Sequence, residues 1–294
     1  MRFVWWTWKN KNKRLRFVEH ICYHILNKMM KSLTIRRKNT LLITTLLLSA
    51  DLLIFVQADY KVGIGIADIT GPVAEVVFMG YAKSTQKGSG LHLRQFARAF
   101  IIEDGTNCIA FVSIDAAMVG HGLRKQVLEK LNKRYNNTFN EQNFILSATH
   151  THSAPGGFMM HTLFDFTTFG FVKETFTALA SGIVKAVSRA YKSMQDARIF
   201  LNSGEVLDAN INRSPAAYLL NPASERSRYK YNVDKEMTQL KFVTPRNKLI
   251  GAIHWFPIHP TSMNNTNTFV SSDNVGYASI LLEQHFNKGE LIGK

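Results

Sequence analysis

Two histidines one residue apart, in the stretch SATHTHSAPGG (residues 147–157), are the first residues whose types and spacing suggest chemistry. They follow a short apolar run, and on an extended backbone residues i and i+2 point to the same face. Both imidazoles could therefore converge on one object, and the glycine pair would let it approach the backbone closely. A catalytic zinc takes about three protein ligands plus water. His150 and His152 are thus either metal ligands or hydrogen-bonded structural histidines.

A second histidine cluster lies in IHWFPIHPTSMNN (residues 253–265). His259 follows an apolar and aromatic run and precedes Pro260, so it is expected in a loop at a strand end. If the two strand ends lie side by side in one sheet, His150 and His259 would supply ligands from one edge. His254 has the opposite parity and is interpreted as structural.

The elements that must position these residues follow from hydrophobic periodicity. Apolar runs and alternation predict strands near residues 60–70, 97–103, 108–115, 142–150, 197–206, 237–245 and 248–260. Asp104-Gly105 predicts a hairpin. Helices are predicted over residues 122–135, 174–194 and 274–286, the first with Leu123, Val127, Leu128 and Leu131 on one face, the second with Leu179, Ile183, Val187 and Tyr191. Mixed hairpins and crossover helices indicate an α/β (mixed α+β) fold, with a layered mixed sheet and flanking helices.

Apolar residues crowd the segment GFMMHTLFDFTTFGF (residues 157–171). Flexible methionines and aromatic rings suit a groove for lipid chains. Ordinary core packing of a loop and a helix start explains the same composition. We favour core packing, with a few of these side chains reaching a groove.

Net charge excludes one class of partner. The chain carries a net charge of +15, but residues 1–58 hold 11 Lys/Arg against 2 acids and so account for +9 of it. The basic character belongs mainly to the N-terminal segment, and nucleic acid is not an expected partner.

The N-terminal segment itself resembles a secretion signal. Basic residues 36–38 precede an apolar stretch that ends with Val56 and Ala58 at a plausible cleavage site. Residues 30–58 are therefore predicted to be a signal peptide, or alternatively a signal anchor, and residues 1–29 an upstream extension. The expected location is extracellular, or the plasma membrane if the signal is not cleaved. Asn136-Asn137-Thr138 fits the glycosylation pattern of a secreted protein.

Eight motifs, in order, resemble the neutral (non-lysosomal) ceramidase family: ADITGP, MGYA, GLHLRQFARAFI, SATHTHSAPGGF, NINRSP, NPASERSRY, HPTSMNN and SSDNVGYAS. The resemblance runs from about residue 60 to the end. It implies a zinc amidase that cleaves the N-acyl bond of ceramide and related N-acylsphingosines, taken from a membrane surface, into sphingosine and a fatty acid. Zinc can lower the pKa of bound water from 15.7 toward about 7, which suits amide hydrolysis at neutral pH.

The resemblance also implies roles for individual residues. His150 and His259, 109 positions apart, match the two histidine ligands of the Zn²⁺ ion. His152 and Arg213 match catalytic residues that contact substrate, and Gly80 matches a glycine near the catalytic pocket. From the residues alone, Arg213 is equally a surface arginine at the turn before Ser214-Pro215.

Other parts of the family pattern have no counterpart in residues 59–294. In the family pattern, a glutamate ligand, a tyrosine ligand, an essential serine and a C-terminal β-sandwich come after the part that residues 59–294 resemble. Residues 59–294 are therefore expected to form the N-terminal part of a truncated catalytic domain, inactive alone. A zinc esterase or phosphoesterase, and a non-catalytic lipid-binding product, are the alternative functions.

Overall fold

The structure is a computed structural model that describes residues 60–289. The predicted extension (residues 1–29) and signal segment (residues 30–58) lie outside the described residues and stay predictions. The strands are β1 Tyr60–Asp68, β2 Ala74–Met79, β3 Lys87–Leu91, β4 Phe96–Glu103, β5 Cys108–Ile114, β6 Phe144–Ala148, β7 Ala154–Pro155, β8 Gln195–Glu205, β9 Glu236–Val243, β10 Leu249–Trp255 and β11 Phe269–Val270. The helices are α1 His121–Tyr135, α2 Thr162–Asp165, α3 Lys173–Lys192, α4 Pro215–Leu219, α5 Ala223–Arg226 and α6 Asp273–Phe286, and Phe166–Thr168 form a 3₁₀ turn.

A seven-stranded sheet forms the centre of the fold, with the order β10-β9-β8-β1-β4-β5-β6. All neighbours are antiparallel except β5 and β6, which run parallel because α1 connects them. The predicted hairpin joins β4 and β5, where Asp104 and Asn107 close the turn. The predicted mixed α/β fold class is confirmed.

One face of this sheet is covered by α3, and α1 packs beside it. The predicted apolar face of α1 is fully buried, as are Leu179, Ile183 and Val187 of α3. Tyr191, predicted on the same face, is instead 40% exposed; its ring packs at a tilt on Tyr135 and edgewise on Phe139.

The other face of the sheet carries its own apolar cluster. Val62, Ala197, Phe242 and Ile253, from four different strands, are buried together there. Trp255 of β10 reaches Phe111 of β5, with ring centroids 5.8 Å apart. β10 is an edge strand, so the contact shows that this edge folds back over the sheet.

A smaller four-stranded sheet, β11-β3-β2-β7, positions the histidine motif. β7 is the Ala154-Pro155 pair of that motif and lies antiparallel to β2. The Ser271 amide donates to the carbonyl of Ser153, so the segment after β11 is also joined to the motif.

The apolar segment after the glycine pair is not mainly core. Phe158 and Met159 are buried, but six following apolar side chains are exposed: Met160, Leu163, Phe164, Phe166, Phe169 and Phe171. The expected core packing is wrong for most of the segment. The buried Asp165 carboxylate accepts the Met159 and His161 amides and so holds a short turn, from which the rings point outward.

Within residues 60–289, every helix is too short or too polar to cross a lipid bilayer.

Candidate metal centre

His150 lies in an irregular segment just after β6. Its backbone is left-handed, with φ of 71°, so residues 150–152 are not the extended chain that the sequence suggested. The His150 amide donates to the Ala116 carbonyl over 3.0 Å, and Nδ1 lies 2.6 Å from the Ala117 carbonyl oxygen. That contact requires a proton on Nδ1. In the neutral ring, Nε2 then carries the free lone pair.

His152 lies at the middle of the histidine group. Its Nε2 is 3.1 Å from Nε2 of His150 and 3.0 Å from Nε2 of His259. The predicted convergence of His150 and His152 is therefore present, although it comes from a kinked backbone and not from strand parity.

His259 reaches the same place from the far side of the sheet. β6 and β10 are the two opposite edges of the seven-stranded sheet, so the expectation of neighbouring strands is wrong. The curl of the sheet and the loop after β10 bring the rings together, and His259 stacks on His150 with centroids 5.1 Å apart. His254 lies apart from this group, beside Gln239.

The three histidines fit a zinc ion. One ligand nitrogen from each ring can be chosen so that all three lie within 4.8 Å of one another. Two nitrogens on a tetrahedral zinc, each about 2.0–2.1 Å from the ion, are about 3.3 Å apart. The 3.0 and 3.1 Å contacts are close to that spacing, whereas lone pairs facing each other without a cation would repel.

The electrostatic setting favours the neutral form of His152 and His259. Burial, with contributions from His150, His259 and Arg213, lowers the pKa of His152 to about 4. Burial, followed by His150 and Arg213, also lowers the pKa of His259. Neutral imidazole is the form that binds metal, so the site favours ligation at neutral pH.

Arg213 and Gly80 both lie close to the histidines. The Arg213 side chain is exposed, yet its charge acts on His152 and His259. Its segment is tied to the His259 loop because Asn210 donates to the Pro257 carbonyl over 2.6 Å. Gly80 has φ of 129°, and a Cβ there would lie 2.5 Å from Cγ of His152.

Sequence reasoning missed the groups that orient the site. The Ala117 carbonyl, which holds His150, is a backbone atom and leaves no residue-type signal. The Asp115 carboxylate binds Arg98 and the Phe96 amide and none of the three histidines. Asp273, the first residue of α6, accepts the Met263 amide in the His259 loop.

Comparison with known families gives one match over most of the chain. The profile described as "Neutral/alkaline non-lysosomal ceramidase, N-terminal" matches residues 60–293.

Individual relatives and solved structures agree with this. The neutral ceramidase of Drosophila melanogaster is 52% identical over 240 residues, and that of Pseudomonas aeruginosa 43% over 244. These matches cover 81% and 80% of this chain but 34% and 36% of the relatives, so the chain spans about a third of their length. The crystal structure of the P. aeruginosa neutral ceramidase superposes with a TM-score of 0.75 at 41% identity, covering 78% of this chain and 36% of that one. A ceramidase structure described as complexed with C2 gives a TM-score of 0.74.

Proposed function

The chain belongs to the neutral/alkaline non-lysosomal ceramidase family, and from this premise we propose that the whole protein is a zinc-dependent amidase. It hydrolyses the N-acyl bond of ceramide and releases sphingosine and a fatty acid. The observation that carries the proposal is the meeting of three imidazole Nε2 atoms from opposite edges of the sheet, in a chain that matches the family over residues 60–293.

His150 and His259 are the proposed zinc ligands. His150 presents a bare Nε2 because its Nδ1 proton is held by the Ala117 carbonyl, and this fixes both the tautomer and the ring direction. Burial, followed by the charges of His150 and Arg213, lowers the pKa of His259 and favours its neutral imidazole. When bound, zinc supplies a Lewis acid that polarises an amide carbonyl and makes water more acidic.

His152 and Arg213 are the proposed catalytic and substrate-contacting residues. Amide hydrolysis must deliver a proton to the leaving amine, and a neutral imidazole carries one N–H and one lone pair through which a proton can be held or passed. Arg213 cannot lose its proton, so its role is to orient substrate oxygen atoms from the exposed side of the site. Gly80 keeps the space beside the His152 ring free of a side chain.

The proposed substrate and location follow from different parts of the chain. The names of the relatives support ceramide, which would be taken from a membrane surface. The basic and apolar pattern of residues 30–58 supports secretion, with a membrane-anchored form as the alternative. Asn136 is exposed at the end of α1, which is compatible with glycosylation there.

The test measures zinc content and ceramide hydrolysis in the protein expressed from its complete reading frame. His150→Ala and His259→Ala are each expected to lower bound zinc and to reduce fatty-acid release by at least about 100-fold, because removing a ligand leaves an incomplete set. His152→Ala is expected to reduce turnover with a smaller loss of zinc. The 294-residue chain, assayed in parallel, is expected to bind zinc weakly and to leave ceramide intact.

His161→Ala is the matched control, since His161 is exposed and lies outside the metal centre. It should leave zinc content and turnover unchanged. Full activity in either His150→Ala or His259→Ala would overturn the zinc assignment. Hydrolysis of a phosphoester in place of ceramide would overturn the substrate assignment.

A further inference from the structure

His152 differs from His150 in what orients its ring. Nδ1 of His150 is held by the Ala117 carbonyl, whereas Nδ1 of His152 is buried without a hydrogen-bond partner in the described part of the chain. Histidines at metal centres commonly donate their second ring N–H to an acceptor that fixes the ring. The orientation of His152 must therefore come from packing.

Tyr81 supplies that packing. Its ring meets the His152 imidazole edge to face, with centroids 4.5 Å apart and an interplanar angle of 80°. This geometry is a favoured one for aromatic pairs and stabilises the contact beyond the burial of apolar area alone. Gly80, the preceding residue, presses its backbone against the same ring. Residues 80 and 81 together form one wall of the His152 site.

The hydroxyl of Tyr81 reaches the other histidine segment. It donates to the Met263 carbonyl over 2.8 Å, and Met263 lies four residues after His259. The Met263 amide in turn donates to Asp273 over 3.2 Å, so this stretch of the loop is held from both sides. Tyr81 therefore contacts both the His152 ring and the loop that carries His259.

We propose that Tyr81 is a positioning residue that orients the His152 ring and fixes the His259 loop, so that the histidine nitrogens are presented together. The inference rests on the proposed zinc site and deepens it. The two contacts act separately, because the ring touches His152 and the hydroxyl holds Met263. Substitutions at Tyr81 can remove one contact or both.

The test is the Zn²⁺ affinity of the protein expressed from its complete reading frame, measured by competition with a chromophoric chelator. Tyr81→Phe keeps the ring and loses the hydroxyl, so the affinity is expected to fall about 2–10-fold, the equivalent of one net hydrogen bond. Tyr81→Leu loses both contacts, and the expected fall is about 10–100-fold. The absorption spectrum of the Co²⁺-loaded chain should change in Tyr81→Leu and remain close to wild type in Tyr81→Phe.

Tyr135→Leu is the matched control, because Tyr135 is also half-buried and packs on two aromatic rings, but away from the histidines. Thermal unfolding without metal separates loss of fold from loss of position, and Tyr81→Phe keeps the test available if Tyr81→Leu does not fold. Wild-type affinity and an unchanged Co²⁺ spectrum in Tyr81→Leu would overturn the inference, as would an equal loss in Tyr135→Leu. If the wild-type protein from the complete reading frame binds no zinc, or its His150→Ala variant binds zinc equally well, the proposed function fails first and this inference with it.

Discussion

At the scale of single residues, the histidine site depends on backbone conformations that most side chains avoid. His150 and Asp273 have φ of 71° and 54°, and Gly80 has φ of 129°. For His150 and Asp273 such conformations cost roughly 1–3 kcal/mol each and persist only where the surroundings enforce them, whereas glycine adopts a positive φ without that cost. Here the Ala116 and Ala117 carbonyls hold His150, and the Met263 amide holds Asp273. At His150 the strained backbone lies directly where the imidazoles meet, which fits a preorganised binding site.

Gly80→Ala should therefore weaken metal binding more than it weakens the fold. The new Cβ would lie 2.5–2.9 Å from three atoms of His152 and force that ring to move. Zinc affinity of the full chain is expected to fall about 10-fold or more. Gly105→Ala is the control, because its φ is 87° but nothing lies within 4 Å of the new Cβ. Equal zinc affinity in Gly80→Ala and wild type would contradict this account.

The residue types at the site were predictable, but the way they meet was not. A His-x-His pair and a distant His-Pro motif are visible in the sequence, and their residues do converge. The predicted reason, strand parity, is wrong because His150 is left-handed. Tyr81 could have been noticed within MGYA, yet nothing in its residue type indicates contact with segments 71 and 182 positions away.

At the scale of elements, the closest packing is between α3 and β1. A Cβ at Gly63 or Gly65 of β1 would lie 2.0 or 2.2 Å from a carbonyl oxygen of α3, at Ala190 and Ala186 respectively. The helix thus lies directly on the strand backbone. Ser193 completes the contact, since its hydroxyl accepts the Ile64 amide and donates to the Ile64 carbonyl.

Gly65→Ala should consequently destabilise the whole fold. Its methyl group would meet backbone atoms that cannot move without shifting α3, a case of overpacking that costs about 1–3 kcal/mol. Urea denaturation of the full chain measures the change in the free energy of unfolding. Gly204→Ala in β8, with open space at its Cβ, is expected to stay within about 1 kcal/mol of wild type. Similar losses in both variants would show that helix packing is not the cause.

Elements with a clear periodicity were predictable, and those without it were not. The apolar face of α1 and the Asp104-Gly105 hairpin follow from local patterns and are confirmed. The prediction of core packing for the segment after the glycine pair was wrong because the composition of that segment resembles the composition of a core. Nothing local reveals that the Asp165 carboxylate binds the Met159 and His161 amides and turns Phe166 and Phe169 outward, where they are 78% and 75% exposed.

At the scale of the whole molecule, the curl of the central sheet makes the site. The histidines follow β6 and β10, which are opposite edges in a sheet of seven strands. A flat sheet would keep them far apart, since neighbouring strands lie about 4.7–4.9 Å from each other. The apolar cluster around Phe242 and the Phe111–Trp255 contact hold the edges toward each other. Strand order and curl are global properties, which is why the sequence favoured neighbouring strands.

A metal ligated from both edges should therefore stabilise the fold as a whole. Ligand binding to the native state alone contributes about 2.7 kcal/mol at 100 times its Kd, which corresponds to a rise in Tm of roughly 5–10 °C for a chain of this size. Zinc is expected to raise the Tm of the full chain by this order, and a chelator to reverse the rise. His150→Ala and His259→Ala, which each leave one edge without its ligand, should lose the shift, while His161→Ala keeps it. If either His150→Ala or His259→Ala keeps the full rise in Tm, zinc binds elsewhere and the metal does not hold the two edges of the sheet together.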